Sequence, residues 1–430
     1  MKAAFYECEI TPPLGGYMWG HYHDVRAYDV QDRLYAKALV VEDEGEVVAC
    51  VVADVCVLPA EMHEIVTQRI YEFTGIAPER VCIAANHTHY GAAVGTDPAT
   101  ESYADVSYKD VFFRLCADAV TLAYKRLQEV ELKYGETEVH GISFNRDFIL
   151  EDGSYVTHGR GRNNIVSPLD GIDPALPVLM FEKEGKPIGA IINFACHQCC
   201  LGNTDRYSGD YSSILAKRLK EVYGNDFVSL FLLGTCGDIN HVNPDPKVEI
   251  PELWYQYMGE VLADAVVEAM QETQPVGGGV QVISKSMEIS RRLATKEMVH
   301  EKILKWAGKG ESLMRTRNLI HYEASNRQES SELIVQGIRI GDVGISTLPG
   351  EVFVAIGQGI KQESPFTKSM VVENCNKYCG YIPSKKAFDE CSDLYETALC
   401  FHSCLVPEAG EILQEEAVKI MKELAKSVEM

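Results

Sequence analysis

The chain has 430 residues, 46% of them hydrophobic, which is large for one domain and enough for a sizeable core. Its net charge of −23 argues against nucleic acid or an anionic membrane surface as a partner. The opening "MKAAFYECEITPP" does not read as a signal peptide, and no run of ~18 apolar residues spans a bilayer, so the expectation is a cytoplasmic protein without a membrane partner.

In chain order, "EVVACVVAD" (46–54) reads as an apolar strand ending on Asp54, and a helical pattern follows at 60–74. Many of the fourteen cysteines sit in such runs; Cys50 and Cys56 look like small core residues, as in a reduced protein. "RVCIAAN" (80–86) runs into His87, before a helix at 103–127. "AIINFAC" (190–196) runs into His197; the helix at 208–223 opens on "SGDYSS", a good N-terminal signal. "FVSLFLLG" (227–234) leads to Thr235, Cys236, Gly237 and Asp238, and a helix follows at 252–271. A polar segment, 294–330, with a helix at 294–308, reads as a surface helix or lid. "VGISTLPGE" (343–351) reaches Glu351, placed in the first turn of a helix at 351–362. "SMVVENC" (369–375) precedes Tyr378 and Tyr381, and a helix at 408–427 closes the chain. The alternation predicts an α/β protein with buried sheets, one integrated domain over 1–430, and a site beyond the carboxyl ends of strands.

That is where the chemistry-bearing residues fall. His87 and His89 are two apart, so in extended backbone both rings reach one side. Both suit one ion, or one binds while the other works on bound water; the plain alternative is a pair of solvated loop histidines. His197 is as readily a core residue as a ligand. Cys196, Cys199 and "CNKYC" (375–379) leave room for a structural zinc. Asp238 suits a turn cap, Asn240 and His241 suit a pocket wall, and Cys236 is a nucleophile only with a base and a lowered pKa. Glu351 at a helix start is explained by the helix dipole alone.

Together these fragments resemble the catalytic domain of the neutral/alkaline non-lysosomal ceramidases. "ITPPLGGYMWGH", "QDRLYAKALVV", "NHTHYGAAVG", "FNRD", "CHQCCLGNTDRYSGDYSS", "PGEVF" and "NKYCGYIPS…YETA" follow that family's motifs in chain order. The resemblance implies mixed β-sheets packed between α-helices and one zinc held by His87, His197, Glu351 and Tyr381. It makes His89 the histidine that moves the proton, and places Arg146 and Tyr395 in the substrate site. Tyr378 and His241 are taken as further substrate-lining residues. The family's active-site serine falls on Asn240, which can donate a hydrogen bond but cannot be that nucleophile. No counterpart of the family's C-terminal β-sandwich or export signal is expected. The expectation is therefore a zinc hydrolase acting through metal-activated water on a small soluble amide or ester, not on ceramide, with Asn240 helping the oxyanion and Arg146 orienting a polar or anionic group. The alternatives are a metal-dependent lactonase or sugar-modifying enzyme, and a non-catalytic metal-binding homologue. The oligomeric state is not legible.

Overall fold

The computed structural model describes residues 1–21, 23–95, 105–307, 313–326 and 328–426. Three sheets carry the core. The first contains Lys2–Glu9 (β1), Tyr35–Asp43 (β2), Glu46–Ala53 (β3), Val81–Ala85 (β4) and Gln128–Glu129 (β5), ordered β4-β3-β2-β1-β5. The second contains Glu131–Glu138 (β6), Ala175–Lys183 (β7), Lys186–Phe194 (β8), Val228–Leu233 (β9) and Gln274–Val276 (β10), ordered β9-β8-β7-β6-β10. The third contains Val280–Ser290 (β11), Ser330–Ile340 (β12), Val343–Thr347 (β13) and Lys368–Val372 (β14), ordered β11-β12-β13-β14.

Helices divide the same way. Met62–Thr74 (α1) and Val106–Tyr124 (α2) belong to the first sheet, Tyr211–Tyr223 (α3) and Trp254–Ala269 (α4) to the second. Lys296–Ala307 (α5) and Leu313–Ser325 (α6) pack on each other. Val354–Glu363 (α7), Lys385–Glu390 (α8) and Ala409–Lys426 (α9) belong to the third sheet.

Each sheet is antiparallel except for one pair: β3 with β4, β8 with β9, and β13 with β14 run parallel. A parallel pair needs a crossover, and α1, α3 and α7 supply it in turn. Strand alternation then buries both faces. On β3, Ala49, Val51 and Ala53 pack under the helices, while Val48, Cys50 and Val52 face the other sheets. On β9, Phe231 and Leu233 face helices, and Leu230 and Leu232 face sheets. The sheet-facing sides of all three meet in one apolar layer, which is why these strands read as continuous hydrophobic runs. All fourteen cysteines are free, and Cys50 and Cys56 are buried as expected.

One element differs from the sequence expectation. Glu351 is not in the first turn of a helix. It starts a two-residue strand, Glu351–Val352, paired in parallel with Tyr381–Ile382, and α7 begins only at Val354. Gly350 takes φ 66°, and a Cβ there would lie 2.4 Å from Gly380 O. The bare backbone lets Glu351 N reach that same carbonyl at 2.9 Å. The acid at the α7 N-terminus is Asp238 instead, whose Oδ1 accepts from Val354 N at 2.7 Å.

Candidate active site

The three parallel pairs each deliver one residue to a common point. His87 lies just beyond β4, His197 just beyond β8 and Glu351 just beyond β13. All three are at least 97% buried. His87 takes φ 69°, a backbone conformation rare for a side-chain-bearing residue and of the kind that clusters at functional sites. It is held there by His87 N donating to Val55 O at 3.0 Å.

Hydrogen bonding assigns the tautomers. His87 Nδ1 is 2.8 Å from Cys56 O, and His197 Nδ1 is 2.8 Å from Cys236 O. A carbonyl only accepts, so both Nδ1 atoms carry the proton and both Nε2 atoms can present lone pairs. Each Nε2 lies 3.3 Å from Glu351 Oε2. That oxygen is buried and has no hydrogen-bond partner. Tyr378 Oη donates to the other oxygen, Oε1, at 2.7 Å.

Three electron-pair donors facing one point repel unless a cation stands between them, and these three atoms lie within 4.8 Å of one another. Two imidazoles and a carboxylate are a donor set that divalent zinc accepts. Without a cation, a proton must compensate the buried carboxylate. Burial opposes charge on His87, but Cys56 and Glu351 outweigh it and hold its pKa well above the ordinary value. Burial and the adjacent Arg146 instead push His197 down to about 3. Burial pushes the Glu351 carboxyl up, but the two histidines outweigh it and keep it ionised. A second donor group, Cys56, His87 and His89, is also close enough to hold an ion. It shares His87, whose Nδ1 is already engaged, and lacks a buried carboxylate. Among the described residues no metal-competent group contains Cys196, Cys199, Cys375 or Cys379.

The centre sits in a cavity of about 260 Å³. His89 lines it with its Nε2 3.4 Å from His87 Nε2. Burial, then His87 and His197, keep His89 well below its ordinary pKa and hence neutral. The "MWGH" motif has a structural reason: a Cβ on Gly20 would lie 2.7 Å from the His89 ring. Asn240 lines the cavity from a two-residue ladder with Phe144–Asn145, and its Oδ1 accepts from His241 N at 2.6 Å. That leaves the amide nitrogen as the donor end of the carboxamide. Tyr381 and Tyr395 line it together, rings 5.6 Å apart and edge-on. Tyr381 is the ladder partner of Glu351, while Tyr378 is the tyrosine whose hydroxyl reaches the carboxylate.

Arg146 also lines the cavity, and each of its three guanidinium nitrogens has a neighbour. Nε donates to Glu396 Oε1 at 2.7 Å, Nη2 to Gly237 O at 2.7 Å, and Nη1 lies 3.3 Å from His197 Nε2. His241 stands behind the wall: its Nδ1 is 3.7 Å from Cys199 Sγ, and Cys199 faces the cavity. Cys236 is wholly buried, its Sγ 3.1 Å from Glu373 Oε1; burial, then Glu373, raises the thiol far out of nucleophilic range.

Sequence reasoning missed Glu396, Glu373, Asn318 and His21. Glu396 directly follows Tyr395 and is 0% exposed, the counter-charge that buried Arg146 requires. Glu373 follows β14 and accepts from Cys236 N and Val352 N at 3.0 and 2.7 Å, locking two loops of the site together. A carboxylate ending an apolar strand was the available signal for it.

A buried His–His–Glu group that could hold a metal ion thus stands at the parallel edges of three sheets. The family description "neutral/alkaline non-lysosomal ceramidase, N-terminal" matches residues 10–249. That is more than half of the chain, and the chain belongs to this family of hydrolases. Two solved structures share the fold over 99% of this chain at 18% identity: neutral ceramidase from Pseudomonas aeruginosa, with a TM-score of 0.75 over 74% of that chain, and a ceramidase complexed with C2, with 0.74 over 75%. No curated protein matches the chain at a significant level. Among the described residues no helix is long and apolar enough to cross a membrane.

Proposed function

We propose that this chain is a zinc-dependent hydrolase of a small soluble amide or ester. The observation that carries the reading is the convergence of His87 Nε2, His197 Nε2 and the orphaned Glu351 Oε2. His87, His197 and Glu351 would hold the ion, with Tyr381 as the fourth ligand. A bound divalent ion supplies Lewis acidity there, the chemistry that makes water nucleophilic near neutral pH. The chain's own residues do the rest. Neutral His89 accepts the proton of the attacking water at Nε2 and returns it to the leaving nitrogen or oxygen as the acyl bond breaks. The Asn240 amide donates to the carbonyl oxygen as negative charge develops on it. Arg146, held by Glu396, fixes the Gly237 turn and the His197 ring. Asn240 offers no hydroxyl, and the cavity is small beside the ~300–1,000 Å³ of ordinary ligand sites, both of which favour a compact substrate over ceramide.

The test is turnover by purified, zinc-loaded protein on short N-acyl amides, esters, lactones and detergent-dispersed ceramide. Soluble amides or esters should be the best substrates by kcat/KM. Efficient ceramide cleavage with no soluble compound competing would overturn the substrate class, lactones alone would point to a lactonase, and no turnover at all would favour a metal-binding homologue without catalysis.

A further inference from the structure

Helices α1 and α2 pack side by side on the first sheet and turn an apolar row outward. Ile65, Phe73 and Val111 are 48%, 51% and 48% exposed. Ile65, Arg69 and Phe73 recur every four residues along α1, and Val111, Leu115, Asp118 and Leu122 recur at helical spacing along α2, so each row keeps to one side of its helix. The rows adjoin. Arg69 Nη2 lies 3.5 Å from Asp118 Oδ1, the Arg69 guanidinium lies 5.0 Å from the centre of the Phe73 ring, and Lys109 Nζ donates to Glu61 Oε1 at 2.8 Å. None of these residues lines the cavity.

Charge sets this face apart. The whole chain has 63 acids and 40 bases, whereas residues 61–74 and 105–126 together have six acids and five bases. Two copies of a chain carrying −23 repel through most of their surface, and they approach most readily where the charge is balanced. The central ion pair matters for the same reason. Arg69 and Asp118 are 33% and 41% exposed and neutralise each other, so covering them strands no lone charge in an apolar contact. Extent decides the strength. With 13 and 19 residues, α1 and α2 are about 20 and about 28 Å long, and side by side at about 10 Å each they offer about 500 Å². Two such faces bury about 1,000 Å², the lower limit for a specific association.

We propose that the α1–α2 face is a docking surface for a second copy of this chain. The copies meet about a two-fold axis, each offering the same patch, and the four helices pack with Ile65, Phe73 and Val111 of both copies in the apolar centre. The association is weak, near micromolar, because the area is small. Helix α1 is the crossover that leads into β4 and so to His87. The contact therefore braces the helix behind the His87 loop and leaves the cavity lining untouched.

The experiment is sedimentation equilibrium of the full chain from about 1 to about 100 µM in ~0.15 M salt. The mass should rise from 47.8 kDa toward twice that value across the range. Ile65→Glu combined with Val111→Glu should hold the chain at the single mass, since charges placed in the centre of an interface weaken it by at least ~30-fold in Kd. Both positions are exposed, so the melting temperature should stay where it is. Phe73→Ala, which adds no charge, should weaken the association about ten-fold. Val222→Glu, at a likewise exposed apolar residue on α3, should leave it unchanged. A single mass for the parent chain at every concentration would overturn the proposal. So would a dimer that survives the Ile65→Glu, Val111→Glu pair, which would put the contact on another face, and so would equal loss in Val222→Glu, which would make the effect one of net charge. A parent chain that stays single but sediments with phosphatidylcholine vesicles, and loses them in the double variant, would reassign the face to a lipid surface.

Discussion

The first and second sheets meet the active site in the same way and leave it in different electrical states. Each ends in a parallel strand pair bridged by a helix, and each places a histidine just past a strand with its Nδ1 tied to a backbone carbonyl. Yet Cys56 and Glu351 hold the pKa of His87 up against burial, whereas burial and Arg146 push that of His197 down although the same Glu351 oxygen lies 3.3 Å away. Equivalent topology fixed the position of two lone pairs. What packs behind each ring set its charge. The lesson is that a symmetric-looking ligand pair sits in unlike surroundings: those of His87 favour a proton that a bound cation would displace, and burial with Arg146 disfavours one on His197.

The largest test of this comparison removes either ring. His87→Ala and His197→Ala should each abolish stoichiometric zinc, measured by elemental analysis, and turnover with it, because either loss leaves an incomplete donor set. An ion that survives one substitution and not the other would break the equivalence of the two sheets as ligand donors. Next, His89→Ala should keep the ion and lose ~10²–10⁴-fold in kcat, the usual worth of a general acid or base. Cys236→Ser, by contrast, should keep most activity; a covalent adduct trapped on Cys236 by mass spectrometry would reverse that assignment.

The asymmetry itself is sharpened by Glu396→Ala. Arg146 is 6% exposed and would lose its carboxylate, so the chain should be destabilised by about 3–5 kcal/mol in denaturant unfolding. A loss near zero would mean that another acid takes over the guanidinium. The smallest effect concerns buried acids at the ends of these strands. Burial raises Asp54 of the first sheet to about 6, and Asp210 and Asp238 beside the second to about 6 and about 7. These folded carboxyls keep protons that the unfolded chain releases near pH ~4. Their contribution is therefore present below that pH and is lost as pH rises through 6 to 7. Melting temperatures should fall across that window, and a rise would overturn the raised values.

Much of the fold was legible. Strands at β3, β4, β8, β9, β13 and β14 and most helices fall within a few residues of expectation, because runs buried on both faces announce themselves in composition. The conjunction of residues at strand ends was legible too: His87, His89, His197, Asn240, Glu351, Arg146, Tyr378, Tyr381 and Tyr395 line one cavity. His241 was expected in the wall, but it follows the two-residue strand Ile239–Asn240 and its Nδ1 lies 3.7 Å from Cys199 Sγ, behind the lining. Glu351 was given to the wrong element. A helix signal starting at proline and glycine is real, but a parallel bridge to Tyr381 captured its first two residues.

Residue by residue, then, the amino-acid order determined which segments are strands, which are crossovers, and which side chains stand at their carboxyl ends. Those are local matters of hydrophobic periodicity and turn chemistry, and a chain carries them before it folds. Tertiary structure alone decided which lone pair each histidine offers, that Arg146 spends its charge on Glu396, and that Asn318 arrives at the cavity from a helix 121 positions beyond His197. Each of these depends on a partner distant in sequence, and a buried polar group takes its tautomer, charge and role from whichever partner the packing of three sheets brings within hydrogen-bond reach.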